Sequence, residues 1–173
     1  MNNTLRYIAL AIGFILLQCL ILNNVDLFNA IHPLLYIYLI IYFPIINNRF
    51  IFILLSFLYG LTIDIFCDSA GIHAAACVSL AYFRPVFLKL FFGMTYIHQV
   101  VKFKNIDIKQ NIFYVSSLTV FHHYVLFFIE VFDSSKLFLV FEKTFFTSIF
   151  TIILVLLLNI FLKKKWENLY YQF

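Results

Sequence analysis

The feature that most constrains this chain is the repetition of long apolar stretches separated by short polar breaks. They run over 5–22, 33–46, 50–66, 72–92, 111–129 and 144–162. A helix needs about 20 apolar residues to cross the hydrocarbon core of a bilayer, so six such segments use most of the 173 residues and leave only connections between them. With 64% hydrophobic and 12% charged residues, the chain cannot wrap a core in a solvated shell. The expected fold is an all-α membrane protein, a single polytopic domain over 1–173 built as a bundle of about six transmembrane helices. Stretch 33–46 is short for a crossing, so tilt or local thinning is expected there. Pro33 suits its first turn and Pro44 kinks or ends it. Arg84 and Pro85 interrupt the fourth stretch, leaving 86–92 as a kinked continuation or an interfacial helix. Residues 136–143 read as an interfacial approach to the last span, and Lys163, Lys164 and Lys165 as its stop. The first stretch has no small-residue cleavage site and reads as a retained anchor.

Charge sets the orientation. Six crossings place both termini on one side, together with Arg6, Arg49, Arg84, Lys89, Lys102, Lys104, Lys109 and Lys163 to Lys165, against Lys136 and Lys143 on the other, ten to two. Basic residues accumulate in cytoplasmic loops, so both termini are expected in the cytoplasm and the turn between the third and fourth spans on the outer side. The same placement argues against nucleic acid as a partner, because the cations sit at span ends instead of forming a patch interleaved with aromatic residues.

The segment YGLTIDIFCDSAGIHAAACVSLA, 59–81, joins two of these spans and holds the residue that most needs explaining, Asp64. A carboxylate near the end of an apolar span costs free energy unless it faces the bundle interior, a partner or water. It also lies near a helix C-terminus, where the macrodipole opposes it. Ser56, Gly60 and Asp64 fall at i, i+4 and i+8, on one face that can approach another helix closely. The short turn through Gly71 makes the following helix the antiparallel neighbour and brings His73 to the depth of Asp64. An acid and an imidazole paired there would relieve the burial cost of both, and Ser69 or Asp68 could cap the fourth helix. A structural turn lock and a partner or ligand contact both fit this pattern.

The remaining reactive side chains point to no chemistry. There is no HExxH, no GxSxG and no second intramembrane Asp to pair with Asp64, so no catalytic residue, cofactor or metal is expected. His122 and His123 are adjacent and point about 100° apart on a helix, which prevents joint chelation without other ligands. They read as neutral imidazoles hydrogen-bonded between helices. Cys19, Cys67 and Cys77 show no CxxC spacing and are odd in number, and read as apolar fillers. Arg84 beside Pro85 reads as a snorkelling cation at the inner interface next to a kink, or as a contact for a cytoplasmic or lipid partner.

Gly60-Leu61-x-x-Asp64, Gly71-Ile72-His73-Ala74 and Phe83-Arg84-Pro85, set in six spans of this total length, resemble the MreD family of bacterial rod shape-determining membrane proteins. Ala70 stands where many members carry Leu. The resemblance implies a non-enzymatic subunit of the elongation machinery in the cytoplasmic (inner) membrane, working with MreC and, more widely, with MreB, RodA and a class B penicillin-binding protein in peptidoglycan synthesis. It implies Gly60, Asp64, Gly71, His73, Arg84 and Pro85 as the structural or partner motif. It also implies a bundle similar to the substrate-binding subunits of energy-coupling-factor vitamin transporters. From that similarity comes the alternative of a small-molecule uptake subunit, although the outward loops are too short to form a lid.

Overall fold

The computed structural model describes residues 3–25, 32–44, 48–93 and 107–170. Lys102, Lys104 and the end of the second stretch at 45–46 lie outside them. The described elements are α1 (Asn3–Leu16), prolonged by a π turn (Leu17–Ile21) and a 3-10 turn (Leu22–Asn24), α2 (Ile37–Tyr42), α3 (Arg49–Cys67), α4 (Ile72–Phe92), α5 (Ile108–Val131) and, after a 3-10 turn (Ser134–Lys136), α6 (Leu137–Tyr170). Among the described residues there is no strand. Five helical stretches, 5–24, 49–67, 72–92, 108–131 and 137–162, are long and apolar enough to cross a membrane.

The second expected span takes a different form from a full helix. Among the described residues of 33–46 only the six of α2 are α-helical, about 9 Å at 1.5 Å per residue, far short of a bilayer core. The prolines explain the limit. Pro44 disfavours the helical conformation for the residue before it, and Phe43 is extended, at φ −60° and ψ 141°. Pro33 cannot donate to a ladder, and the helix starts only after Tyr36. Every residue from Leu34 to Tyr42 is nonetheless at most 6% exposed. The segment is threaded through the middle of the bundle.

Non-helical backbone at membrane depth persists only where protein satisfies its polar groups, and here side chains from all the surrounding helices do so. Gln18 of the π turn donates to the Pro33 carbonyl (3.1 Å) and accepts from the Leu35 N–H (2.8 Å). Thr151 of α6 accepts from the Leu34 N–H at 3.2 Å. The Tyr59 hydroxyl donates to the Tyr36 carbonyl and the Tyr114 hydroxyl to the Ile41 carbonyl, each at 3.2 Å. Arg84 donates from Nη2 to the Phe43 carbonyl. Polar residues scattered through otherwise apolar spans thus share one task.

One further boundary agrees with expectation and one differs. α4 runs through Pro85 as one helix to Phe92 and ends at Gly93, φ +69°, because neighbouring helices can absorb the backbone groups that proline frees. α6 begins at Leu137 and continues past Lys163–Lys165 to Tyr170. Lysine is a good helix former, so those residues do not end the helix.

The contacts also fix the direction of each helix. At one end Cys19 meets Cys67, Asp64 binds the first turn of α4, and Lys143 reaches Glu130. At the other, Tyr7 packs on Phe43, Arg84 binds the Phe43 carbonyl, and the Tyr42 hydroxyl reaches Asn111. The start of α1 and the C-terminal part of α6 therefore point toward the same end of the bundle.

Candidate functional site

The site is built on the α3–α4 hairpin. α3 starts at the N-cap Asn48, whose Oδ1 accepts from the N–H groups of Phe50 (3.0 Å) and Ile51 (3.3 Å). It ends in a turn with Asp68, Ala70 and Gly71 at φ +52°, +51° and +90°. Such conformations are costly for non-glycine residues, so something must hold the turn closed. Part of the closure comes from Gly60. A Cβ there would lie 2.6 Å from the Ala74 Cα and 2.8 Å from the His73 carbonyl oxygen, so α4 crosses α3 at a separation that no side chain permits.

Asp64 supplies the rest. The N-cap of α4 is Gly71, which has no side chain to offer, and the cap comes instead from across the hairpin. Oδ2 of Asp64 accepts from the Ala74 N–H at 2.8 Å, while Oδ1 accepts from the His73 N–H at 2.9 Å. The Ser69 hydroxyl donates to Oδ1 at 2.6 Å, and His73 Nδ1 lies 3.0 Å from the same oxygen. The capping role expected of Ser69 or Asp68 thus belongs to Asp64, with Ser69 as a bridge. Although the carboxylate sits at the unfavourable end of α3, it meets the positive end of α4, where N–H groups lack partners and anions are stabilised.

Serine, histidine and aspartate so close together invite comparison with a hydrolytic triad. In that arrangement the imidazole separates serine from carboxylate and receives the serine proton. Here Ser69 gives its proton to Asp64 directly, and both oxygens face the same ring nitrogen, Nδ1. The cluster caps α4 and ties Ser69 of the turn to it, an arrangement that differs from the triad's order.

The structure therefore brings Gly60, Asp64, Gly71 and His73 together and leaves Arg84 and Pro85 eleven residues along α4, about 17 Å away at 1.5 Å per residue. Arg84 does not snorkel. It is 3% exposed, donates from Nε to the Tyr114 hydroxyl at 3.2 Å, and lies over the Phe52 ring at 5.2 Å, an arrangement favourable for a cation.

A second polar cluster lies beside the hairpin: His122 and His123 do bond to side chains of other elements, as expected from the sequence, while their partners Tyr36 and Thr151 were not foreseen. Tyr36 packs its ring against His73 (5.6 Å between centroids) and places its hydroxyl 3.1 Å from His122 Nε2. His123 Nδ1 lies 2.8 Å from the Thr119 carbonyl and so must donate, while Nε2 lies 3.2 Å from the Thr151 hydroxyl, which donates to the Thr147 carbonyl at 2.9 Å. Among the described residues His122 Nδ1 has no partner. The signal for this cluster was the presence of Thr and His within apolar spans; its partner Tyr36 lay in a segment that reads as an ordinary crossing. Beside it, at the Asp64 end, opens a cavity of about 1100 Å³ bordered by Ser69, His73, Glu130, Lys143, Thr147 and Phe127, among others. Lys143 spans its rim, 3.0 Å from Glu130 and 5.5 Å from the Phe127 ring centroid. Among the described residues no three His, Cys, Asp or Glu side chains converge as metal ligands.

Compared with known protein families, curated proteins and solved structures, the chain matches none.

Proposed function

We propose that this chain is a non-enzymatic, multi-pass subunit of the bacterial cell-elongation machinery. It lies in the cytoplasmic membrane with both termini inside, and supports rod shape and lateral peptidoglycan synthesis by binding partners. MreC is the first of these, with MreB, RodA and a class B penicillin-binding protein in the wider complex. The reading rests on the resemblance of 59–85 to the MreD family. One structural observation supports it: Asp64, the most anomalous residue of that segment, is bonded within its own hairpin to Ser69, His73 and Ala74. Its job is to build the hairpin, and the apolar outer faces of the long helices remain for lipid and partner helices. Phe50, Ile65 and Phe66 of α3, each more than 60% exposed, are part of such a face. Depletion from its rod-shaped host tests the reading. Rounded or swollen cells are expected, and normal rods would contradict it.

One observation favours a second reading, a substrate-binding subunit of a small-molecule uptake transporter. The cavity beside His73 is of a size that holds small ligands, and its rim combines Glu130, Lys143 and aromatic side chains. Normal rods together with a new vitamin requirement on depletion would favour it.

A further inference from the structure

We propose that Cys19 and Cys67 are a modification site, a dithiol that closes to a disulfide and staples α1 to the α3–α4 turn. The two sulfurs lie 3.7 Å apart although 48 residues separate them in sequence. Both are half-buried, whereas Cys77 is buried.

Each thiol is brought to this place by structure that does not involve it. α1 widens into a π turn over Leu17–Ile21, the kind of insertion often found at functional positions. The turn points Gln18 inward, 1% exposed and bound to Pro33 and Leu35. Cys19, the next residue round the helix, is thereby turned toward α3. On the other side Cys67 is the last residue of α3, directly before left-handed Asp68, in the turn that the Asp64 cap holds shut. A disulfide has an S–S length of about 2.05 Å, so closure requires the sulfurs to approach by about 1.7 Å from the 3.7 Å contact, within reach of side-chain rotation.

Both thiols are half-buried and Cys67 borders the cavity, so an external disulfide oxidant can reach the pair. The thiolate of one cysteine attacks a sulfur of that disulfide and releases one oxidant thiol. The other cysteine then attacks the sulfur of the first in the mixed disulfide and releases the second. Two cysteine S–H bonds and one oxidant S–S bond are broken, one protein S–S and two oxidant S–H bonds form, and two electrons pass to the oxidant.

The test uses the full chain in detergent micelles, with monodisperse elution as the criterion for folded protein. Samples are treated with diamide, which accepts two hydrogens to become the hydrazine, then acid-quenched, denatured and labelled with maleimide-polyethylene glycol to count thiols. The parent should carry three tags before treatment and one after, with dithiothreitol restoring all three. Cys77→Ala should fall from two tags to none, and Cys19→Ala should keep its two. Retention of all three tags by the treated parent would overturn the proposal. So would equal loss in Cys19→Ala, or loss accompanied only by disulfide-linked dimers on a non-reducing gel. Because the measurement is made in micelles, it depends neither on membrane orientation nor on the proposed role in cell elongation.

Discussion

Replacing Asp64 by Ala removes the acceptor for four donors at once, two backbone N–H groups, one hydroxyl and one ring nitrogen. The losses are unequal. Ser69 Oγ and His73 Nδ1 already lie 2.8 Å apart and can satisfy each other when the carboxylate is gone. The N–H groups of His73 and Ala74 cannot, because the first turn of a helix offers no internal acceptor. Ala74 is 2% exposed, which keeps water from it. Each buried orphan donor costs about 1–3 kcal/mol; with water from the cavity reaching the His73 side, the total is about 2–4 kcal/mol, above the ~1 kcal/mol typical of an exposed cap. His73→Ala leaves both backbone bonds in place and should cost only about 0.5–1.5 kcal/mol, the value of one hydrogen bond. If an ion pair dominated, the double variant would recover part of the loss, since removing both partners leaves no uncompensated charge. The geometry predicts instead that Asp64→Ala/His73→Ala is no more stable than Asp64→Ala. Equilibrium unfolding in mixed micelles of dodecyl maltoside and SDS measures all three. Asp64→Ala as stable as His73→Ala, or clear recovery in the double variant, would refute the assignment of Asp64 as the cap of α4.

Gly60→Leu should reduce folded protein in the membrane more than Gly13→Leu, because a Cβ at Gly60 meets α4 backbone below 3 Å whereas Gly13 has open space; fluorescence-detected size exclusion compares them, and equal yields would count against the close α3–α4 crossing. Tyr114→Phe should cost about 2–4 kcal/mol in the same micelle unfolding assay, since it strands both the Ile41 carbonyl and Arg84 Nε; an unchanged midpoint would mean that this hydroxyl does not hold the central segment. A C-terminal fluorescent protein that matures only in the cytoplasm should glow, and a periplasmic phosphatase at the same position should be inactive, given the ten-to-two basic asymmetry; the opposite pair of results would invert the orientation.

The helical membrane class was legible because length and hydropathy alone dictate it. The grouping of Ser56, Gly60 and Asp64 on one face of α3 was legible for a similar reason, since helical spacing fixes which side chains stack. The central segment was not. Its apolar content matches that of a crossing, and whether such a run becomes a full helix depends on partners such as Gln18, Thr151, Tyr114 and Arg84, which are distant in sequence. Arg84 shows the same limit. At the end of an apolar run it reads as a cation reaching for water, whereas an extended carbonyl at Phe43 draws it inward. Identifying Asp64 as the cap of α4 required the hairpin geometry, because Ser69 and Asp68 stand nearer the helix start in sequence.

The proposed role is tested most directly by affinity purification of the tagged chain from its own rod-shaped host in mild detergent. MreC is predicted to co-purify with the parent, and to be retained by Asp64→Asn in proportion to the folded protein that this variant yields, because the proposal assigns Asp64 to the hairpin and not to the partner. Recovery of an ATPase coupling module without MreC would contradict the account and transfer support to the uptake subunit.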